Sequence, residues 1–233
     1  MSVYLALEIL TIIIPLLYSY DRKLNFYPKL KVVGLSLIFV GIFYVLGDVW
    51  FTKSGFWGFN QKYHSGILIF NLPLEECLFF IVIPYASIFL HDTLIYLFPK
   101  VRLSRLSTQV LNIVLIIGLL ALVISNLNKA YTSIYLSVAI ISIIWAWLRE
   151  FEMLRRYYFT FCVILIPFFL VNLVLTGSFI AEPVVWYNNA QNLGIRIGTV
   201  PVEDISYAFS LILLNLIVVN RLVIWFNRKS LSE

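Results

Sequence analysis

Two short acidic motifs hold the residues of this sequence best suited to chemistry. Leu72-Pro73-Leu74-Glu75-Glu76 and Val200-Pro201-Val202-Glu203-Asp204 each set a proline and then two adjacent acids ahead of a long apolar run. Proline suits a first helical turn, and acids there sit at the positive end of the helix dipole. Neighbouring helical residues point about 100° apart. One acid of each pair can therefore face a cavity while the other bonds to the loop above it. A helix cap would account for one such pair, but the same pattern twice favours a shared task. A carboxylic acid beside a carboxylate can give and take a proton.

Aromatic residues follow the acids at helical spacing. Phe79 lies one turn beyond Glu75, Phe80 one turn beyond Glu76, and Tyr207 one turn beyond Glu203. Aromatic faces stabilise cations. The stretches before both motifs, 53–66 and 178–200, are rich in aromatics, glycine and asparagine. In each, an asparagine follows a tryptophan by three residues: Trp57 with Asn60, and Trp186 with Asn189. The expected catalytic set is Glu75, Glu76, Glu203 and Asp204. The expected substrate-binding set is Trp57, Phe79, Phe80, Trp186, Tyr207, Asn60 and Asn189. Glu75 and Glu203 lie nearest the helix start, which suits charge stabilisation. Glu76 and Asp204, one residue deeper, are the expected proton donors. Asp48 closes the second apolar run, Glu182 occupies a comparable place after the sixth, and Glu8 falls inside the first.

These motifs must be held by membrane helices. Of 233 residues, 61% are hydrophobic and 12% charged, about half the charged share of a soluble domain. Disorder and a disulfide scaffold are excluded with the soluble class. Seven apolar runs, roughly 2–20, 32–52, 72–98, 109–127, 131–148, 157–177 and 202–226, are each about long enough to span a bilayer core. The first lacks the basic start and small-residue cleavage site of a signal peptide, and is expected to stay. The basic residues cluster in alternate gaps: Arg22, Lys23, Lys29 and Lys31; then Lys100, Arg102 and Arg105; then Arg149, Arg155 and Arg156; then Arg228 and Lys229. That bias predicts an outside N-terminus and a cytoplasmic C-terminus. It also gives the net charge of +5 a topological meaning, so no nucleic-acid partner is expected. The duplicated motifs predict two parallel three-helix repeats, 1–108 and 129–233, joined by a linking helix in 109–128, with a cavity between them. His64 and His91 are too scattered for a metal centre, and Cys77 and Cys162 form no ligand pair. His91 and Asp92 are assigned no chemistry. No G-x-G-x-x-G or phosphate loop occurs.

The duplicated three-helix units with Pro73-Leu74-Glu75-Glu76 and Pro201-Val202-Glu203-Asp204 resemble the bacterial, archaeal and fungal type of lycopene cyclase, in its fused two-unit form. The resemblance covers essentially the full length. The second unit departs from the first in carrying Asp204 where the first has Glu76. The resemblance implies an all-α integral membrane enzyme of carotenoid biosynthesis, an intramolecular lyase. It would close the ends of lycopene or a related linear carotene to β-rings, giving γ-carotene or β-carotene. The implied reaction is acid-initiated and redox-neutral, so no cofactor is expected. The implied location is the cytoplasmic membrane of a prokaryote. Another end-group enzyme, such as a hydratase or a cyclase of longer carotenoids, is an alternative; so is a non-enzymatic carotenoid- or lipid-binding protein. Assembly into a homo-oligomer is left open.

Overall fold

The computed structural model describes residues 2–230, so residues 1 and 231–233 of the expected terminal units lie outside the described residues. Seven long helices make the body: α1 (Val3–Tyr18), α2 (Leu30–Lys53), α3 (Leu74–Leu97), α4 (Arg105–Ser125), α5 (Ala130–Arg149), α6 (Phe151–Leu175) and α7 (Glu203–Ser230). Six of them are long and apolar enough to cross a membrane, which fits an integral membrane protein. The seventh, α1, has 16 residues and rises about 24 Å, short of a hydrocarbon core of about 30 Å.

Local chemistry sets the boundaries. Ser2 and Ser104 cap α1 and α4 by accepting the amides of Leu5 and Ser107 at 3.2 and 3.0 Å. The Ser104 cap starts α4 four residues before the expected run. The largest departure is α6. The charged stretch 149–156 reads as a loop, yet only Glu150 separates α5 from α6. Glu152 in the first turn of α6 gathers Arg155 at 2.7 Å and Arg102 at 3.6 Å, and the Arg155 Nε donates to the Leu103 carbonyl at 2.8 Å. Charges paired in this way extend the helix instead of breaking it. At the same end of the molecule, Lys29 pairs with Asp92 at 2.5 Å, and His91 Nδ1 meets Thr160 Oγ1 at 2.7 Å.

Helix α1 packs on α3, and α5 packs on α7. Helix α2 lies against both α3 and α7, while α6 lies against α3 and α5, so the pairs interlock. Helix α4 rests on α5 at the periphery, burying only Thr108, Asn112 and Val123. The main core, around Phe89, Ile143, Tyr157, Phe161 and Ile212, fills the middle of the bundle.

Above it, the two long loops form a small β layer. Strands β1 (Trp57–Phe59) and β4 (Val185–Tyr187) pair antiparallel across the molecule. Hairpins β2 (Leu68–Ile69) with β3 (Leu72–Pro73), and β5 (Arg196–Ile197) with β6 (Val200–Pro201), lead into α3 and α7. The loops match bond for bond. Asn60 N donates to Val184 O, and Asn188 N to Phe56 O, both at 2.8 Å. Leu74 N donates to Ile67 O at 2.9 Å, and Val202 N to Ile195 O at 3.0 Å. Gly66 and Gly194, with φ of +85° and +73°, turn the two loops at corresponding points. All these pairs share the offset that carries Glu75 onto Glu203. By that offset Asn60 corresponds to Asn188 and Gly58 to Trp186. The match of Trp57 to Trp186, made on residue type, is therefore one residue out of register. In the ladder Gly58 faces Trp186 itself, and a Cβ at Gly58 would come within 2.4 Å of that indole ring. Glycine is what lets the strands close there.

Candidate active site

The first acid of each motif is tied to its own loop. Glu75, 1% exposed, accepts the Ser65 amide at 2.6 Å, the Ser65 hydroxyl at 3.2 Å and the Ser2 hydroxyl at 2.8 Å. Glu203, also 1% exposed, accepts the Leu193 amide and the Thr132 hydroxyl, both at 2.6 Å. A backbone N–H can only donate, so these two acids serve there as acceptors. Through these bonds each acid pins the loop above its helix.

The second acid of each motif bonds to tyrosine instead. Tyr4 of α1 donates to Glu76 at 2.6 Å. Tyr131 of α5 donates to Asp204, and Tyr187 of β4 reaches its other oxygen at 3.1 Å. A phenol can donate or accept. Glu76 and Asp204 can thus change protonation and keep their partners, which suits a group that passes a proton. Tyr187 lies in the loop layer; its burial, and then the Asp204 charge, push its phenol well above the usual value. It therefore stays protonated as a donor.

Glu76 and Asp204 face one another across a single cavity of about 50 Å3. Both motifs thus build one site between the two helix pairs. Its walls include Trp57, Phe79, Tyr187 and Tyr207, and Asp48 joins them. Asp48 is 1% exposed, within hydrogen-bonding reach of Trp57, and leaves its Oδ2 without a partner. Trp57 stacks flat on Phe51, with centroids 4.7 Å apart and planes at 6°. A space of this size holds a few waters, and is well below a ligand pocket of about 300–1,000 Å3.

The other expected substrate-binding residues lie elsewhere. Phe80 is buried behind the wall, against the rings of Tyr44 and Tyr207 at 6.2 and 6.4 Å. Trp186 is 45% exposed on the outer side of β4. Asn60 donates to Glu182 at 2.9 Å on the surface, and Asn189 accepts from Arg196 at 2.8 Å. Glu182 is a surface residue, not a counterpart of Asp48: Asn60 and then Lys62 hold its carboxyl below the ordinary range. Of the α6 residues that line the cavity, Phe168, Asn172 and Leu175, the polar one is Asn172.

Sequence reasoning missed Tyr4 and Tyr131. A tyrosine in the first turn of an apolar helix reads as an interface anchor. The usable signal was that each stands in the first turn of the helix that packs on an acid-bearing helix. Asn172 was missed because an asparagine inside an apolar run carries no mark of lining a cavity.

Comparison with known proteins identifies a family. No curated protein and no solved structure matches the chain. The lycopene cyclase family model matches residues 1–94 and 128–222, two stretches that each contain one acid motif and end within the helix that follows it. Together they span most of the sequence, and the chain belongs to the lycopene cyclase family.

Proposed function

We propose that this protein closes the ends of linear carotenes, most simply lycopene, to β-rings by acid-initiated, redox-neutral cyclisation. The observation that supports it most is the convergence of Glu76 and Asp204, from separate motifs, on one small aromatic-walled cavity. One of these acids gives its proton to C2 of the terminal isoprene unit. The cation left at C1 is attacked by the C5–C6 double bond, which closes the ring and moves the cation to C5. A carboxylate of the site then takes the C6 proton and a ring double bond forms. One proton enters and one leaves, so no oxidant or reductant is consumed. Trp57, Phe79 and Tyr207 offer ring faces to the travelling cation, and exclusion of water keeps it from being hydrated. Glu75 and Glu203 position the loops over the site and supply negative charge beside it.

In this reading α1 is a seventh span, and 1–108 and 129–233 are parallel units joined by α4. The acid motifs and the N-terminus lie outside the cytoplasm. The test is pigment analysis of lycopene-producing cells that express the chain. Ring-bearing products support the cyclase. Hydroxylated ends would show a hydratase, and unchanged lycopene with protein present in the membrane would show a binder.

A further inference from the structure

A cavity of about 50 Å3 is far smaller than a carotene, so with one end of the substrate among the acids its long remainder must lie elsewhere. One apolar groove adjoins the site across a single residue. It runs between α1, α3 and α6 with a volume of about 400 Å3, and Phe168 is common to its lining and to that of the cavity. Along α1 it extends from Leu7 to Pro15, about 12 Å of helix. Its surface is hydrocarbon apart from Thr11 and Ser87. Its rim residues Leu10, Ile14 and Leu170 are 69%, 61% and 63% exposed, on the side where lipid would be. Prolines interrupt two of its walls, Pro15 in α1 and Pro167 immediately before Phe168. Each removes an amide from its helix and loosens the turn it sits in.

The corresponding space on the other side of the site is closed. There Tyr44, Tyr135 and Tyr207 pack ring against ring, at 4.3 to 5.9 Å. A larger groove between α2 and α3 shares no residue with the cavity, and Phe80, 1% exposed, stands between them.

We propose that the α1–α3–α6 groove binds the extended polyene chain of the substrate while its end lies among the acids, with Phe168 as the movable wall between the two. This rests on the cyclase reading for the identity of the ligand. It adds that substrate enters from lipid on one side only. A chain with two ends must then leave and turn before its second end can react, so the one-ringed product is released between steps.

The test uses the purified full chain in lipid vesicles loaded with lycopene, and follows both retained pigment and ring formation. Ala86→Phe fills the groove, and Leu10→Trp, at an exposed rim position, blocks it with little risk to folding. Leu46→Trp places the same bulk in the α2–α3 groove as a control. Both groove variants should lose about tenfold or more in lycopene affinity, with Leu46→Trp unchanged. Equal pigment retention and turnover in all three would overturn the groove. Weakened retention in all three would overturn it as well, by showing a general effect of bulk. If lycopene binds groove-dependently but no ring forms, the groove stands and the cyclase reading falls. If rings form at wild-type rate in both groove variants, the cyclase reading stands and the groove falls.

Discussion

The two halves of the site are built on one plan and finished differently. In one, Tyr4, Glu76, Phe79, Phe168 and Asn172 face the cavity; in the other, Tyr131, Asp204, Tyr207 and Asp48 do. The first carries a single tyrosine on its acid, the second carries two. One turn beyond Tyr4 stands Glu8, 3% exposed with both carboxylate oxygens unpartnered. One turn beyond Tyr131 stands Tyr135, packed between other rings. Two loop–helix units can thus keep matching hydrogen bonds while their walls differ. One wall is dense and aromatic, fit to hold a cation. The other adjoins the apolar groove between α1, α3 and α6 at Phe168.

The strongest test of that contrast removes the acids. If Glu76 and Asp204 serve one shared site, Glu76→Gln and Asp204→Asn should each lower cyclisation about 10²–10⁴-fold at equal protein level. Groups that act as a unit are not additive, so the double variant should be little worse than the poorer single one. Additive losses, measured as rates on purified protein, would instead show two independent sites.

Next come the tyrosines. A hydrogen bond to a charged group contributes about 1.5–3 kcal/mol. Tyr4→Phe leaves Glu76 without its hydrogen-bonded phenol, whereas Tyr131→Phe leaves Asp204 with Tyr187. Turnover should therefore fall about tenfold or more in Tyr4→Phe and clearly less in Tyr131→Phe. Equal losses would mean that Tyr187 does not substitute for Tyr131.

Much of this was legible in the sequence because it rests on spacing. The proline–acid motifs and the membrane runs follow from short-range rules, and helix bounds fell within a few residues of the apolar runs wherever charge did not intervene. What spacing could not show is which loop residues pair across the molecule. Trp57 and Trp186 share a type, but the ladder sets Trp186 against Gly58, and only Trp57 is buried. Register is decided by backbone bonds between loops far apart in sequence, which leave no mark on side-chain type. The same applies to Asp48 and Asn172, which line one cavity with different chemistry. The stretch 149–156 misled for another reason: Glu152 pairs with Arg155 and with Arg102 of the loop before α4, and Glu150 pairs with Arg221 of α7. A count of charges does not show their pairing.

A smaller effect is expected at Glu8. A buried polar group without a partner costs about 1–3 kcal/mol. Glu8→Met keeps an unbranched side chain of similar length and removes the carboxyl. Its unfolding midpoint in detergent should rise. A fall would show that Glu8 has a stabilising partner when the protein is in its working state.

The smallest effect belongs to the loop layer, where the halves differ outside the membrane. Lys62 reaches Glu182 at 3.0 Å on a side with ample solvent. Exposed pairs of this kind contribute little. The Glu182 carboxyl is held below its ordinary value of 4.5, chiefly by Asn60, and the Lys62 ammonium above 10.5, chiefly by Glu182. The signs then fix the pH window. The Glu182 contribution is present above its unfolded value and is lost as pH falls through the folded one. The Lys62 contribution is present below its unfolded value and is lost as pH rises through the folded one. Between those limits the pair's contribution does not vary. Glu182→Gln should therefore give a small, constant drop in unfolding midpoint across neutral pH that shrinks below about pH 4.5. Cyclisation should be unchanged, because neither residue lines the cavity. A loss of turnover in Glu182→Gln would place this surface pair in control of the site and reverse the ranking of the two loops.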